Sequence, residues 1–257
     1  HKTTSPPSHH KHTSACIYVT IVHWQLSHSF MQVSVVSDLA KLKRGMNAQQ
    51  RSQLPFALSN TLNSIAFSGR KHVQTQLKAK LDRPTPYTLR GVQVEKSHKK
   101  KALVAKLGFV GKGFRQMKGE IMPADYMTYQ IAGGIRHPRK RTIMVPTKHQ
   151  NTNRFGNVAV SKYRSLIADK ARYFAGVPTS GSKGGRKPRL GPEASGVWKR
   201  LGPKGNRRMN IQMMIAFEQQ ALYKPRFPFN EIVTRHVKRT FQREFGNAFQ
   251  KAMKSAR

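Results

Sequence analysis

Acidic side chains are what this sequence most conspicuously lacks. Its 257 residues include 10 Asp plus Glu against 48 Lys plus Arg, a net charge of +38. The acids are Asp38, Asp82, Glu95, Glu120, Asp125, Asp169, Glu193, Glu218, Glu231 and Glu244. No two stand at the spacing of a two-metal nuclease or a glycosidase pair, and each is expected to pair with a nearby Lys or Arg. Cysteine is almost as scarce. Cys16 alone excludes a disulfide framework or a zinc finger, and it has no Cys–His constellation around it. Such usage fits a reducing compartment. Long apolar runs are missing too: Cys16 to Val22 is far shorter than the ~20 residues that span a bilayer. The Pro and His residues before it do not make a signal peptide. No membrane span is expected.

Nucleotide loops also fail on inspection. Gly108-Phe109-Val110-Gly111-Lys112-Gly113 lacks the four-residue gap and the hydroxyl after Lys that hold phosphate and magnesium, and Ser180 to Gly185 fails likewise. The His9-His10-Lys11-His12 cluster reads as disordered chain rather than a metal site. The expectation is therefore a non-enzyme with no catalytic residue, no metal and no cofactor.

What is abundant is positive charge, gathered in four runs. These are Lys99, Lys100 and Lys101; Arg136, Arg139, Lys140 and Arg141; Lys183, Arg186, Lys187 and Arg189; and Lys199 to Arg208 with Arg207 and Arg208. A charge this large opposes compaction by self-repulsion unless a polyanion or acidic neighbour neutralises it. Ordinary solvated surfaces carry both signs, so these runs are expected to meet phosphate or an acidic protein face. No helix-turn-helix, finger or interleaved aromatic pattern accompanies them, so nucleic-acid contact should be to the backbone and blind to sequence.

The 37% hydrophobic share suffices for a modest core. Residues 1–30 differ from the rest: they hold six of the eleven His residues, no Arg, no acid and no Met before Met31. They are expected to be a disordered or non-native extension, followed by a single α+β domain over 31–257. Residues 32–44 suggest a strand and a short basic helix. Apolar residues at Leu58, Leu62, Ile65, Ala66, Val73, Leu77 and Leu81 then form one helical stripe, with Pro55 in its first turn and Arg83-Pro84-Thr85-Pro86 ending it. Leu89 to Val94 and Ala102 to Val110 read as a β-hairpin tipped by the first lysine run.

Pro123 to Ile131 reads as a short helix closed by Gly133-Gly134. Ile143 to Val145 reads as a strand, Val158 to Ala168 as a helix capped by Asn157, and Tyr173-Phe174 as a strand. Residues 178–195 read as a flexible basic loop. Val197-Trp198 and Met209 to Phe217 suggest a second hairpin. A long helix capped by Asn230 should follow, with Val237, Phe241, Phe245 and Phe249 packing in the core or against another subunit. The fold class is thus α+β: long N-terminal and C-terminal amphipathic helices packed with β-hairpins, with long basic loops.

Leu54-Pro55-Phe56-Ala57-Leu58, Asn60, Leu62-Asn63, Ala66-Phe67 and Asp82-Arg83-Pro84-Thr85-Pro86-Tyr87-Thr88 resemble the opening of a tailed-bacteriophage group, the minor tail protein Z-like, or tail-completion, structural proteins. Ile131-Ala132-Gly133-Gly134-Ile135-Arg136, Phe155-Gly156-Asn157 and Gly196-Val197-Trp198-Lys199-Arg200 are similar to later signposts of that group. The likeness spans most of 46–257, and residues 1–30 depart from it. It implies a virion component of the tail or head–tail neck, assembled in the host cytoplasm. It also implies a homo-oligomeric ring around the axial channel, with tail, neck or portal proteins and DNA as neighbours. The competing reading of the same charge is a ribosomal or other RNA-bound protein.

Overall fold

The first long helix begins at Ala48, well before Pro55. In this computed structural model, which describes residues 21–22, 30–34, 46–98, 103–111, 114, 121–138, 141–178, 194–202 and 211–255, helix α1 runs Ala48–Lys80. Its start is a reciprocal cap: Gln50 N donates to Asn47 Oδ1 at 2.8 Å, and Asn47 N donates to Gln50 Oε1 at 3.0 Å. Pro55 therefore sits inside the helix and forfeits one backbone bond. The helix continues because its stripe is buried, with Leu54, Ala57, Leu58, Leu62, Ile65 and Val73 in the core.

The described chain divides into two compact units. The first takes the described residues up to Val73, then Val92–Phe109, then Asn230 onward; the second takes Gln74–Gly91 and Val110–Phe229. The residues expected to form a single domain over 31–257 fall in these two bodies.

In the first unit, strands β1 (Ile21–Val22), β2 (Phe30–Ser34), β3 (Val92–Glu95) and β4 (Val104–Phe109) form an antiparallel sheet in the order β1-β2-β4-β3. Ile21, Val22 and Phe30, inside the expected N-terminal extension, are thus strand residues. The hairpin β3–β4 pairs Val94 with Leu107 and Glu95 with Lys106. Alternation then does its work: Ala105 and Leu107 are buried, while Lys106 points the other way, its Nζ 3.4 Å from Glu95 Oε2. Helix α5 (Phe229–Ser255; from Asn230 in this unit) closes the core. Leu62, Ile65 and Ala66 of α1, Ala105 and Leu107 of β4, and Val233, Val237 and Phe241 of α5 converge on one small apolar cavity of about 10 Å³.

The second unit holds helices α2 (Pro86–Arg90), α3 (Pro123–Ala132) and α4 (Val160–Ala168). It has a ribbon of β5 (Gly134–Arg136) with β10 (Ala221–Tyr223), and a sheet of β6 (Ile143–Pro146), β7 (Tyr173–Gly176), β8 (Gly196–Arg200) and β9 (Ile211–Glu218), ordered β6-β9-β8-β7. Among the described residues of this unit, every strand pairing is antiparallel. Leu166 of α4 packs on Val197, Met214 and Ile215 of this sheet. Trp198 Nε1 donates to the carbonyls of Gly176 and Ala194, each at 3.2 Å. Gly196 is required where it stands, because a Cβ there would collide with the Ile215 carbonyl oxygen of the facing strand.

Helices combined with antiparallel sheets make the chain α+β. Several local expectations need correction. Leu89 and Arg90 lie in α2, not in a strand, because Thr85 caps that helix and Pro86 starts it. Asn157 does not cap α4; Ala159 holds that position, without a side-chain cap. Asn230 is the second residue of α5 rather than its cap. Strands β5 and β10 were not expected at all.

Candidate functional site

The sequence that ends α1 and begins α2 does more than turn the chain. Thr85 Oγ1 accepts from Thr88 N at 3.2 Å, and the two hydroxyls lie 2.9 Å apart. Thr88 Oγ1 is in turn 2.9 Å from Tyr126 Oη on α3. The helices can come this close because Gly91 abuts Pro123 at the start of α3, where any Cβ would strike the proline ring. Val110 N donates to Gly91 O at 2.8 Å and Ala124 N to Val110 O at 3.0 Å, locking that approach. Burial holds the Tyr126 pKa above its ordinary value, partly opposed by its bond to Thr88, so the phenol stays protonated.

Beside this hydroxyl row lies a cleft of about 540 Å³. Three further pieces line it. Arg83 stands at φ 45°, an unusual conformation for a residue with a Cβ. Its Nε and Nη2 each reach the Asp82 carboxylate at 3.0 Å, and that bond draws the Asp82 pKa below its ordinary value. The 153–157 loop is organised by Asn153, whose Oδ1 accepts from Phe155 N and Asn157 N, each at 3.0 Å. It presents Phe155, with the Arg154 guanidinium 4.8 Å from the ring centroid, and Gly156 at φ 76° lying against Arg83. Finally, Arg226 is held by its backbone: its N donates to Gln130 O of α3 at 2.8 Å. Its guanidinium has no side-chain partner among the described residues.

The charge of the cleft follows. Asp82 is spent on Arg83, which leaves Arg226 as the uncompensated cation among its charged lining residues.

The basic runs singled out from sequence divide unevenly. Lys99, Lys100, Lys101, Arg139, Lys140, Lys183, Arg186, Lys187, Arg189, Arg207 and Arg208 lie outside the described residues. Arg136 is half-buried on β5, its Nη1 3.4 Å from Tyr223 Oη across the ribbon, while Arg141 is exposed. Arg200 is tied inward. Its Nη1 donates to the carbonyls of Lys170 at 2.9 Å and Tyr173 at 3.1 Å, and the guanidinium stacks over Phe174 at 4.8 Å. Beside Arg136 the ribbon leaves apolar surface open: Ile135 and Leu222 are cross-strand partners and are 51% and 75% exposed.

On α5, Val237 and Phe241 are buried, whereas Phe245 and Phe249 are half-buried, each ring stacked on the preceding one at 6.0 and 5.8 Å. No described helix is long and apolar enough to cross a membrane.

Sequence reading missed Thr85, Thr88, Tyr126 and Arg226. The signal available was Thr85-Pro86, a cap followed by a first-turn proline; Tyr126 and Arg226 carried none, since only the fold brings them to that turn. No family model, curated protein or solved structure matches the chain.

Proposed function

We propose that this chain is a structural component of a tailed-bacteriophage virion, in the tail or the head–tail neck. In this reading it is a ring subunit, not an enzyme, and its basic loops face DNA or acidic neighbours. The observation that carries the reading is the pairing of a +38 net charge with open apolar surface on the β5–β10 ribbon. A chain built to stay dispersed by charge has no use for Ile135 and Leu222 side by side in water. A chain whose ribbon is covered by a neighbour does. The resemblance carried by Asp82–Thr88 adds the class of assembly, and all of those residues but Pro86 line the cleft.

The test is composition of purified particles. Quantitative mass spectrometry of intact virions should find the chain at a small fixed copy number. Recovery with ribosomes and absence from virions would replace the proposal with the RNA-bound reading.

A further inference from the structure

The cleft of the second unit is a built polar site whose chemistry can be matched to an occupant. Three hydroxyl groups, those of Thr85, Thr88 and Tyr126, share two hydroxyl–hydroxyl bonds. Three protons are available and two are used. One O–H therefore remains to donate, whichever way the row is oriented, and no described residue accepts it. Arg226 adds a guanidinium fork with five donors and no acceptor of its own. The aromatic walls come from Tyr87, Tyr126 and Phe155. The volume falls within the ~300–1,000 Å³ of sites that enclose a small ligand or a few side chains.

The lining is thus rich in donors, with one uncompensated positive charge. That composition selects an acceptor of low charge. A carboxylate fits: its two oxygens match a guanidinium fork and a neighbouring hydroxyl. A run of phosphates fits poorly, because the Asp82 carboxylate sits at the same cleft and opposes a second and third negative charge. We propose that this cleft receives a Glu or Asp side chain from an acidic segment of a partner protein, clamped between Arg226 and the Thr85–Thr88–Tyr126 hydroxyl row. The inference rests on the reading of the chain as an assembly component with acidic neighbours, and it assigns that contact a place.

Its test uses the isolated full-length chain, so its failure is distinguishable from absence in virions. A fluorescein-labelled hexaglutamate peptide is titrated at about 150 mM salt, where long-range attraction to the net charge is screened within ~8 Å. Arg226→Gln is expected to weaken binding about tenfold or more, the scale of one charge-assisted hydrogen bond. Arg164→Gln, on the exposed face of α4 and outside the basic runs, removes the same charge outside the cleft and is expected to change binding less than about twofold. Arg226→Lys should recover only part of the affinity, because it keeps the charge and loses the fork. Tyr126→Phe keeps the ring and removes the most acidic hydroxyl of the row, leaving the spare donor to the weaker alcohols of Thr85 and Thr88, and should weaken binding about threefold even if Arg226→Gln folds poorly. Equal effects of Arg226→Gln and Arg164→Gln would mean that net charge alone holds the peptide, and would overturn the proposal. So would unchanged binding by Tyr126→Phe, or a short DNA duplex that binds the cleft more tightly with the same dependence on Arg226.

Discussion

Two glycines show how much a single hydrogen can decide. At Gly196 the obstacle to a side chain is the backbone carbonyl of Ile215, which no rotamer change can relieve. Gly196→Ala should therefore cost about 1–3 kcal/mol, the range for overpacked positions, and urea unfolding monitored by circular dichroism would register it. Gly156 is different. Its φ of 76° disfavours any Cβ, and the neighbouring atom is the movable end of Arg83. Gly156→Ala should cost about 1–2 kcal/mol from the backbone alone. Replacing Arg83 by Ala in the same chain should leave that cost nearly unchanged. If it instead abolished the cost, side-chain crowding rather than backbone conformation would be the cause.

Helix α5 illustrates what periodicity can and cannot say. Spacing placed Phe241, Phe245 and Phe249 on one face, and they do stack in sequence. It could not grade their burial, which depends on the tertiary neighbours of each ring. Phe241→Ala should cost about 3–5 kcal/mol, and the half-buried Phe245→Ala clearly less; a reversed order in denaturant titrations would contradict this packing. Strands β5 and β10 were illegible for a related reason. Three residues each is too short for a pattern, and the register, which sets Tyr223 opposite Gly134 with its ring against Tyr129 of α3, exists only once the chain has returned from the larger sheet. Cap chemistry, by contrast, was readable and underused: Asn47 with Gln50, and Thr85 with Pro86, mark both helix starts.

The α1–α5 contact also titrates. His236 Nε2 lies 2.9 Å from Ser68 Oγ, and its ring stacks on His72 at 5.1 Å. Burial first, then the charge of His72, Arg239 and Arg243, depress the His236 pKa below its ordinary 6.5, against a weaker opposite pull from Glu244. A depressed histidine favours the neutral form in the folded state. The unfolded chain thus binds more protons below about 6.5, and stability must fall as the pH drops through that range. Glu244 acts in the same direction lower down. Its bond from Ser64 Oγ at 2.7 Å depresses its pKa below the ordinary 4.5, so its contribution is present above that value and lost beneath it. Thermal unfolding across pH should show both declines, and His236→Gln should flatten only the upper one.

At the scale of the whole molecule, charge dominates. With ~6–10 phosphate contacts, affinity for DNA should fall by about 10³–10⁵ between 50 and 200 mM salt and show no sequence preference; a shallow salt slope measured by anisotropy would argue against backbone contact. The net charge itself was legible in the composition, because +38 needs no fold to be read. The cleft was not legible, since it is assembled from segments around residues 82–88, 121–130, 155–157 and 226 that share no local signature.

The two units are threaded through one another in sequence: the chain passes between them after Val73, after Gly91, after Phe109 and after Phe229. That threading has a consequence for synthesis. Every residue of the second unit precedes Asn230 in the chain, so its sequence is complete before the helix that closes the first unit is made. That of the first unit is not. Its early half, the α1 stripe and the β3–β4 hairpin, must wait with Leu62, Ile65 and Leu107 uncovered until Val233, Val237 and Phe241 arrive. The mature body is finished by its last described helix, and a nascent chain halted before Asn230 is left with an apolar face that only self-association or a chaperone can shelter.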